Sequence, residues 1–249
     1  MLILLTNDDG VHSEGLLALR EIFAKTDDVC VVAPERERTC VGHAITLHKP
    51  LRIKKVANNT YASNGSPADC VYLGIRAILK KKPDIIISGI NKGPNMGQDV
   101  NYSGTVAAAK EGAFLGIPSL AVSICAREKF LFNDAALITQ RIIDIVKNKT
   151  FIDSTFLNVN IPNISHKKLH GFMVTKLGKR IYNDEVFERV DPRGVTYYWI
   201  GGNSEGYEHK LGTDFYAVEK GSVSITPLGL DMTHTGSIKT YKTYFRRSL

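Results

Sequence analysis

Short apolar runs that stop abruptly in polar, glycine-bearing loops most limit the folds open to this chain. Residues 2–5 run into Asn7-Asp8-Asp9-Gly10, residues 29–33 into the loop 34–42, and residues 84–88 into the loop 89–97. A strand that is apolar at successive positions has both faces covered, as in a parallel sheet flanked by helices. Helical spacing lies between the runs, with Leu16, Leu19, Ile22 and Phe23 in one segment and Ile138, Ile142, Ile145 and Val146 in another. Ser66-Pro67-Ala68-Asp69 supplies a serine cap, a first-turn proline and an early carboxylate for a helix continuing through Leu79. The alanines after Ser103-Gly104-Thr105 mark a tightly packed helix, and residues 119–124 and 156–161 read as further strands. Residues 45–47 and 51–53 alternate, which predicts an antiparallel excursion. The expectation is an α/β fold with a mainly parallel sheet between two helical layers over residues 1–162.

Past Pro162 the pattern changes. Residues 173–175, 195–200 and 222–226 are strand-like, with no convincing helix between them. Residues 163–249 therefore read as a strand-rich extension of a single domain, too poor in apolar residues to stand alone. Phe215, Tyr216, Tyr241, Tyr244 and Phe245 sit where little local core is predicted, so they are expected at a subunit interface.

Composition excludes several classes. A chain of 249 residues with 43% apolar content can bury a proper core, and no apolar run is long enough to span a bilayer. No basic stretch precedes the first apolar run, so no signal peptide is read and a cytoplasmic location is expected. The four cysteines are scattered without a CxxC pair, which argues against a zinc knuckle or disulfide framework and for buried free thiols. The net charge of +7 suits a phosphate-bearing substrate or nucleic acid. Its densest run, Lys80-Lys81-Lys82, reads as the cationic end of a helix.

The chemistry gathers in the loops at the carboxyl ends of the predicted strands, where open α/β sheets bind their ligands. Asn7-Asp8-Asp9-Gly10 is good turn chemistry. It is equally a pair of carboxylates that a divalent cation would neutralise near an apolar core. With the Thr39 hydroxyl and the amide oxygens of Asn91 and Asn95, the loops offer hard oxygen ligands suited to magnesium, manganese or calcium, not to copper or zinc. Ser103-Gly104-Thr105 opens a helix whose free N–H groups and hydroxyls can cradle a phosphate; an ordinary serine cap is the alternative. Gly89, Gly93 and Gly97 are spaced G-x-x-x-G-x-x-x-G, not as a dinucleotide fingerprint, and neither a P-loop nor a G-x-S-x-G elbow occurs. Of the seven histidines, His12, His43 and His234 lie near polar, glycine-bearing segments. Each reads first as a surface or satisfied core histidine, and His234 is the one to test, at the edge of the site rather than as a catalyst.

Asn7-Asp-Asp-Gly10, Ala33-Pro34, Ser88-Gly-Ile-Asn91-Lys-Gly-Pro-Asn95, Tyr102-Ser-Gly-Thr-Val106, Asp191-Pro-Arg193 and Ser224-Ile-Thr-Pro227 together resemble the SurE (survival protein E) family of metal-dependent nucleotidases. The resemblance implies a Rossmann-like core, with a carboxyl-terminal extension exchanged between subunits of a homodimer or homotetramer. It implies a phosphohydrolase of nucleoside 5′- and 3′-monophosphates, with some members also cleaving short polyphosphate. Family metal ligands fall on Asp8, Asp9, Thr39 and Asn91, holding one divalent cation per subunit. Asn95, Ser103, Gly104 and Thr105 fall in the phosphate-binding region. In this reading Asp8 or Asp9 orients the attacking water. One departure stands out: Thr39-Cys40 replaces the usual Ser-Gly, keeping the hydroxyl but losing the backbone freedom of glycine. The competing reading is a non-catalytic nucleotide- or RNA-binding module, though no basic stripe interleaved with aromatics supports specific nucleic-acid binding.

Overall fold

The computed structural model describes residues 1–182, 185–201 and 204–246. Strand β1 (Leu2–Thr6) leads through α1 (Glu14–Phe23) to β2 (Asp28–Pro34), which returns parallel to β1 with Leu5 opposite Val31. β3 (Ile53–Ala57) and β4 (Thr60–Ser63) form an antiparallel pair whose second strand joins β2. α2 (Pro67–Leu73) starts on a capping box in which Ser66 and Asp69 satisfy each other's backbone N–H, and a π-helical stretch, Gly74–Leu79, prolongs it. β5 (Ile85–Lys92) then crosses to the other side of β1, Thr6 opposite Ser88. α3 (Gly104–Phe114), β6 (Ser119–Cys125), α4 (Phe132–Val146) and β7 (Thr155–Pro162) extend the sheet outward in parallel.

Alternate residues of each strand serve opposite faces. Ile3, Leu5, Val31 and Ile87 pack with Leu16, Leu19 and Phe23 of α1 and with Ile138 and Ile142 of α4. Leu4, Val32 and Ile86 pack with Val71 of α2 and Ala108 of α3. α3 lies unusually close to the sheet because its contact face is small. A Cβ on Gly112 would stand 2.6 Å from Ile86 Cδ1 and 2.3 Å from Ser119 Oγ.

Beyond β7 come β8 (Phe172–Val174), β9 (Arg180–Tyr182), β10 (Glu185–Val190), β11 (Thr196–Gly201), β12 (Ser204–Tyr207), α5 (Asp214–Glu219), β13 (Val223–Gly229) and α6 (Thr235–Tyr244). β13 pairs antiparallel with β7 and parallel with β8, giving a nine-stranded sheet in the order β3-β4-β2-β1-β5-β6-β7-β13-β8. β10 with β11, and β9 with β12, form separate antiparallel pairs. β1 and β5 are parallel, but strands are added first on one side of β1 and then on the other, and this switch between β1 and β5 opens a ligand crevice at their carboxyl ends.

Four expectations need correction. Residues 45–47 form no strand, and the antiparallel excursion is β3 with β4. The carboxyl-terminal third contains two helices, α5 and α6, and sends β8 and β13 into the central sheet. Phe215 is buried in its own chain, stacked on Tyr207 with the Arg180 guanidinium over it, so it is not free for an interface. Cys40 is exposed, while Cys30 and Cys70 are buried and all four thiols are free. Among the described residues no helix is long and apolar enough to cross a membrane.

Candidate active site at the carboxyl end of the sheet

The turn after β1 is made by Asn7 and Gly10. The Asn7 amide donates to the Gly10 carbonyl at 3.0 Å and to Ser13 Oγ at 2.6 Å, and its oxygen accepts from the Gly10 N–H at 3.2 Å. Gly10 has φ +100°, and a Cβ there would stand 3.3 Å from the carbonyl carbon of Arg36. The turn thus closes without Asp8 or Asp9. Their carboxylates are left over for something else.

Asp8 is only 5% exposed and accepts a hydrogen bond from the Thr105 hydroxyl. That hydroxyl also lies 3.2 Å from Asn91 Oδ1, so Asp8, Thr105 and Asn91 form one polar cluster. The start of α3 presses directly on it: a Cβ on Gly104 would meet Asp8 Cβ at 2.9 Å and Pro67 Cγ at 3.1 Å. The positive end of the helix dipole therefore sits beside the carboxylates. Asn91 reaches the cluster because β5 runs four residues further than the apolar run suggests. A bulge between Ser88 and Asn91 re-aims the strand end. Asp9 is half-buried and accepts from the Lys92 N–H at 3.3 Å.

Neither carboxylate has an ion-pair partner among the described residues. Burial holds the Asp8 carboxyl above the usual range, against the Thr105 hydrogen bond. Asp9 is pushed up to about 6, first by burial and then by the charge of Asp8, while the N–H and ammonium of Lys92 pull the other way. Adjacent acids under such repulsion are stabilised by a cation. The available donors are all oxygen, and the described residues hold no cluster of three or more His, Cys, Asp or Glu side chains. That donor set fits a hard divalent ion and not zinc.

Thr39 is not drawn into the cluster. Its exposed hydroxyl donates to the Glu37 carboxylate. The loop carrying it is nonetheless tied to the site, because the Arg38 N–H donates to the Asp8 carbonyl at 2.7 Å and the Gly42 N–H to the Tyr102 carbonyl at 3.0 Å. Cys40 adopts φ +56°, the left-handed conformation that glycine favours. The backbone at this position therefore keeps a glycine-like shape with cysteine in place.

Asn95 is buried beside the crevice and held on every side. Its N–H donates to Asn160 Oδ1, its side-chain amide donates to Ser123 Oγ, and its carbonyl accepts from both Asn158 and Asn160. Ser103 Oγ accepts from the Val106 N–H at 3.1 Å, so it does act as the helix cap. Gly104 and Thr105 lie against Asp8. His234 stands at the exposed start of α6, where its carbonyl accepts from Ser237, and it has no hydrogen bond to the cluster. His12 is exposed, and His43 pairs with Glu111 at 2.9 Å.

Sequence reasoning missed several supporting residues. Asn158 and Asn160 occupy alternate positions of an otherwise apolar strand, a same-face polar signal that was available. Asp214 gave no such signal. It is fully buried and accepts from the N–H groups of Gly97 and Gly178, both at 2.8 Å, tying the loop after Asn95 to the carboxyl-terminal third. Glu37 adds negative charge toward Asp8 and Asp9, and Lys92 positive charge toward Asp9.

The family model described as Survival protein SurE matches residues 3–184. The 5′-nucleotidase SurE of Geobacter metallireducens is 47% identical over 245 residues, covering 98% of this chain and 97% of that protein. The 5′-nucleotidase SurE of Aquifex aeolicus is 46% identical over 241 residues, covering 96% of each. The crystal structure of the SurE protein from Aquifex aeolicus superposes with a TM-score of 0.89, covering 98% of this chain and 99% of that one.

Proposed function

The chain belongs to the survival protein SurE family and is a 5′-nucleotidase, and from that premise we propose that it hydrolyses nucleoside 5′- and 3′-monophosphates with one divalent cation per subunit. Asp8, Asp9, Thr39 and Asn91 would hold that cation, magnesium or manganese. The observation that carries the reading is the pair of adjacent carboxylates, one buried and neither in an ion pair among the described residues, at the switch point of the sheet. When bound, the cation supplies a polarised phosphoryl oxygen and a water acidic enough to attack phosphorus.

The chain's own groups do the rest. Asp8 is fixed in orientation by Thr105 and the start of α3. Asp9, more exposed than Asp8, is suited to orient the attacking water. The first turn of α3, with Ser103, Gly104 and Thr105, stabilises charge that grows on the equatorial phosphoryl oxygens. Asn95, held rigid by β6 and β7, orients the phosphate. Thr39 would join these ligands only by giving up its hydrogen bond to Glu37. The terminal group of a short polyphosphate presents the same oxygens, so it is a second substrate of the same cradle. The enzyme would act in the cytoplasm as a homodimer or homotetramer.

Phosphate release from AMP, measured with added manganese and again with excess chelator, tests the reading. Turnover that depends on the metal and is lost in Asp8→Asn is expected. Undiminished turnover in chelator would overturn the role of the cation, and manganese binding to Asp8→Asn as tight as to wild type would overturn the ligand set.

A further inference from the structure

At the opposite edge of the sheet, where β5 and β6 begin, a cleft of about 420 Å³ opens between the far ends of α2 with its π-helical stretch and α3. Its floor is apolar: Ile75, Leu115 and Ile117. Its rim is Arg76, Lys80, Lys81 and Lys82, all exposed. Lys82 leans inward, its ammonium 3.5 Å from where a Cβ on Gly116 would stand, in the turn that follows α3.

A helix carboxyl terminus favours a cation by ~0.3–1 kcal/mol, which explains one or two of these residues. It does not explain four around one apolar floor. None of them has an ion-pair partner among the described residues. Asp84, the acid nearest in sequence, is engaged with the Leu2 N–H at 2.7 Å. Four like charges brought together without partners repel one another, and an anion relieves that repulsion.

We propose that this cleft is a second ligand site, separate from the catalytic crevice, and that it takes a small organic oligophosphate. The chemistry is that of a flat apolar body bearing two or more phosphates, as in a nucleoside diphosphate. The body lies on Ile75, Leu115 and Ile117, and the phosphates on the four cations. The volume falls within the range of small-ligand pockets, roughly 300–1,000 Å³. An inorganic oligoanion would leave the floor unused. A single-stranded nucleic acid would need stacking aromatics, and none line the cleft.

Titration calorimetry with ADP in excess chelator tests the site without catalysis, so its outcome is independent of the metal reading. Wild type and Asp8→Asn should each bind one equivalent with the same affinity. The quadruple variant Arg76→Gln/Lys80→Gln/Lys81→Gln/Lys82→Gln should bind about tenfold more weakly or worse, in line with the loss of several exposed charge contacts. Its AMP hydrolysis should be unchanged, which shows that the fold is intact. Pyrophosphate should bind wild type at least about tenfold more weakly than ADP, since it leaves the apolar floor bare. ADP binding that survives the quadruple change, or that disappears in Asp8→Asn, would overturn the site. Equal affinity for pyrophosphate and ADP would overturn the assigned ligand class, and absence of ADP binding to wild type would overturn both.

Discussion

Asp8 and Asp9 are neighbours with different surroundings, and the difference can be measured. Replacing either carboxylate by the neutral amide leaves a cation under-neutralised. Asp8→Asn and Asp9→Asn should each lower turnover on the order of a hundredfold or more, the scale of a dominant electrostatic element. Near wild-type rates at saturating manganese would remove the pair from the site. Without metal the same substitution should help. The Asp9 carboxyl is raised to about 6 by burial and by Asp8, so its charged form is disfavoured in the fold. That penalty is present above about pH 6 and fades as pH falls toward the ordinary carboxylate value near 4. In chelator, Asp9→Asn should gain ~1–2 kcal/mol at pH 7.5, after discounting for partial exposure, and almost nothing at pH 4. Manganese should reverse the order at pH 7.5, by binding wild type alone. Denaturant titrations at the two pH values decide it. Thr39 is a finer case. Thr39→Ser should keep manganese affinity and Thr39→Val should lose it, because only valine deletes the oxygen at nearly constant shape. Equal affinity in all three proteins makes Thr39 a bystander of Glu37.

What a strand or helix buries decides how much of it could be read from the sequence. β1, β2, β5, β6 and β7 were legible because burial on both faces writes a continuous apolar run. α1 and α4 were legible because each buries one stripe. α5 has six residues, fewer than two full turns, so periodicity has nothing to repeat. α6 buries no residue of its own chain and shows no stripe to find. The bulge in β5 depends on the partner β6, and no local pattern encodes that register. The same holds for residues 45–47, which read as alternating strand. They are tied down instead by Thr46 bonding Asp69 and by the Ser66 hydroxyl bonding the Ala44 carbonyl. The carboxylates, Asn91 and the helix start at Ser103 were legible as neighbours in space because they lie at or beyond the carboxyl ends of strands. The orientation of Thr39 depends on a side-chain rotamer and was not. At this scale β7 should matter to catalysis through Asn160, whose amide both accepts from and donates to the Asn95 backbone. Asn160→Ala leaves those buried groups unpaired and should cost ~1–3 kcal/mol, together with a clear rise in KM for AMP. A variant destabilised by that amount with unchanged KM would show that the strand supports the loop's stability but not its geometry.

Across the whole molecule, the apolar surface is unevenly distributed. The central sheet is closed over by helices, whereas the β10–β11 hairpin is exposed on every residue. It displays Trp199 at 64% and Ile200 at 92% exposure. α6 likewise shows Ile238, Tyr241, Tyr244 and Phe245 to solvent. An isolated two-stranded hairpin is marginal in water, and large contiguous apolar patches mark interaction surfaces. Both elements therefore call for a partner, and a second copy of the chain offers the same aromatic surface in a closed, self-complementary arrangement. Tyr241, Tyr244 and Phe245 are exposed and so available to a partner, whereas Phe215 serves the internal stack. Deleting the residues after Gly236 removes most of α6 while leaving β13 and the nine-stranded sheet in place. The expected result is a smaller native mass by light scattering, or aggregation as the surface that α6 covers on its partner becomes bare. The loops proposed to hold the metal lie on other elements, so a soluble truncated form should still bind manganese. A truncated protein with wild-type mass and solubility would leave α6 as a solvated end and assign assembly, if any, to the hairpin alone.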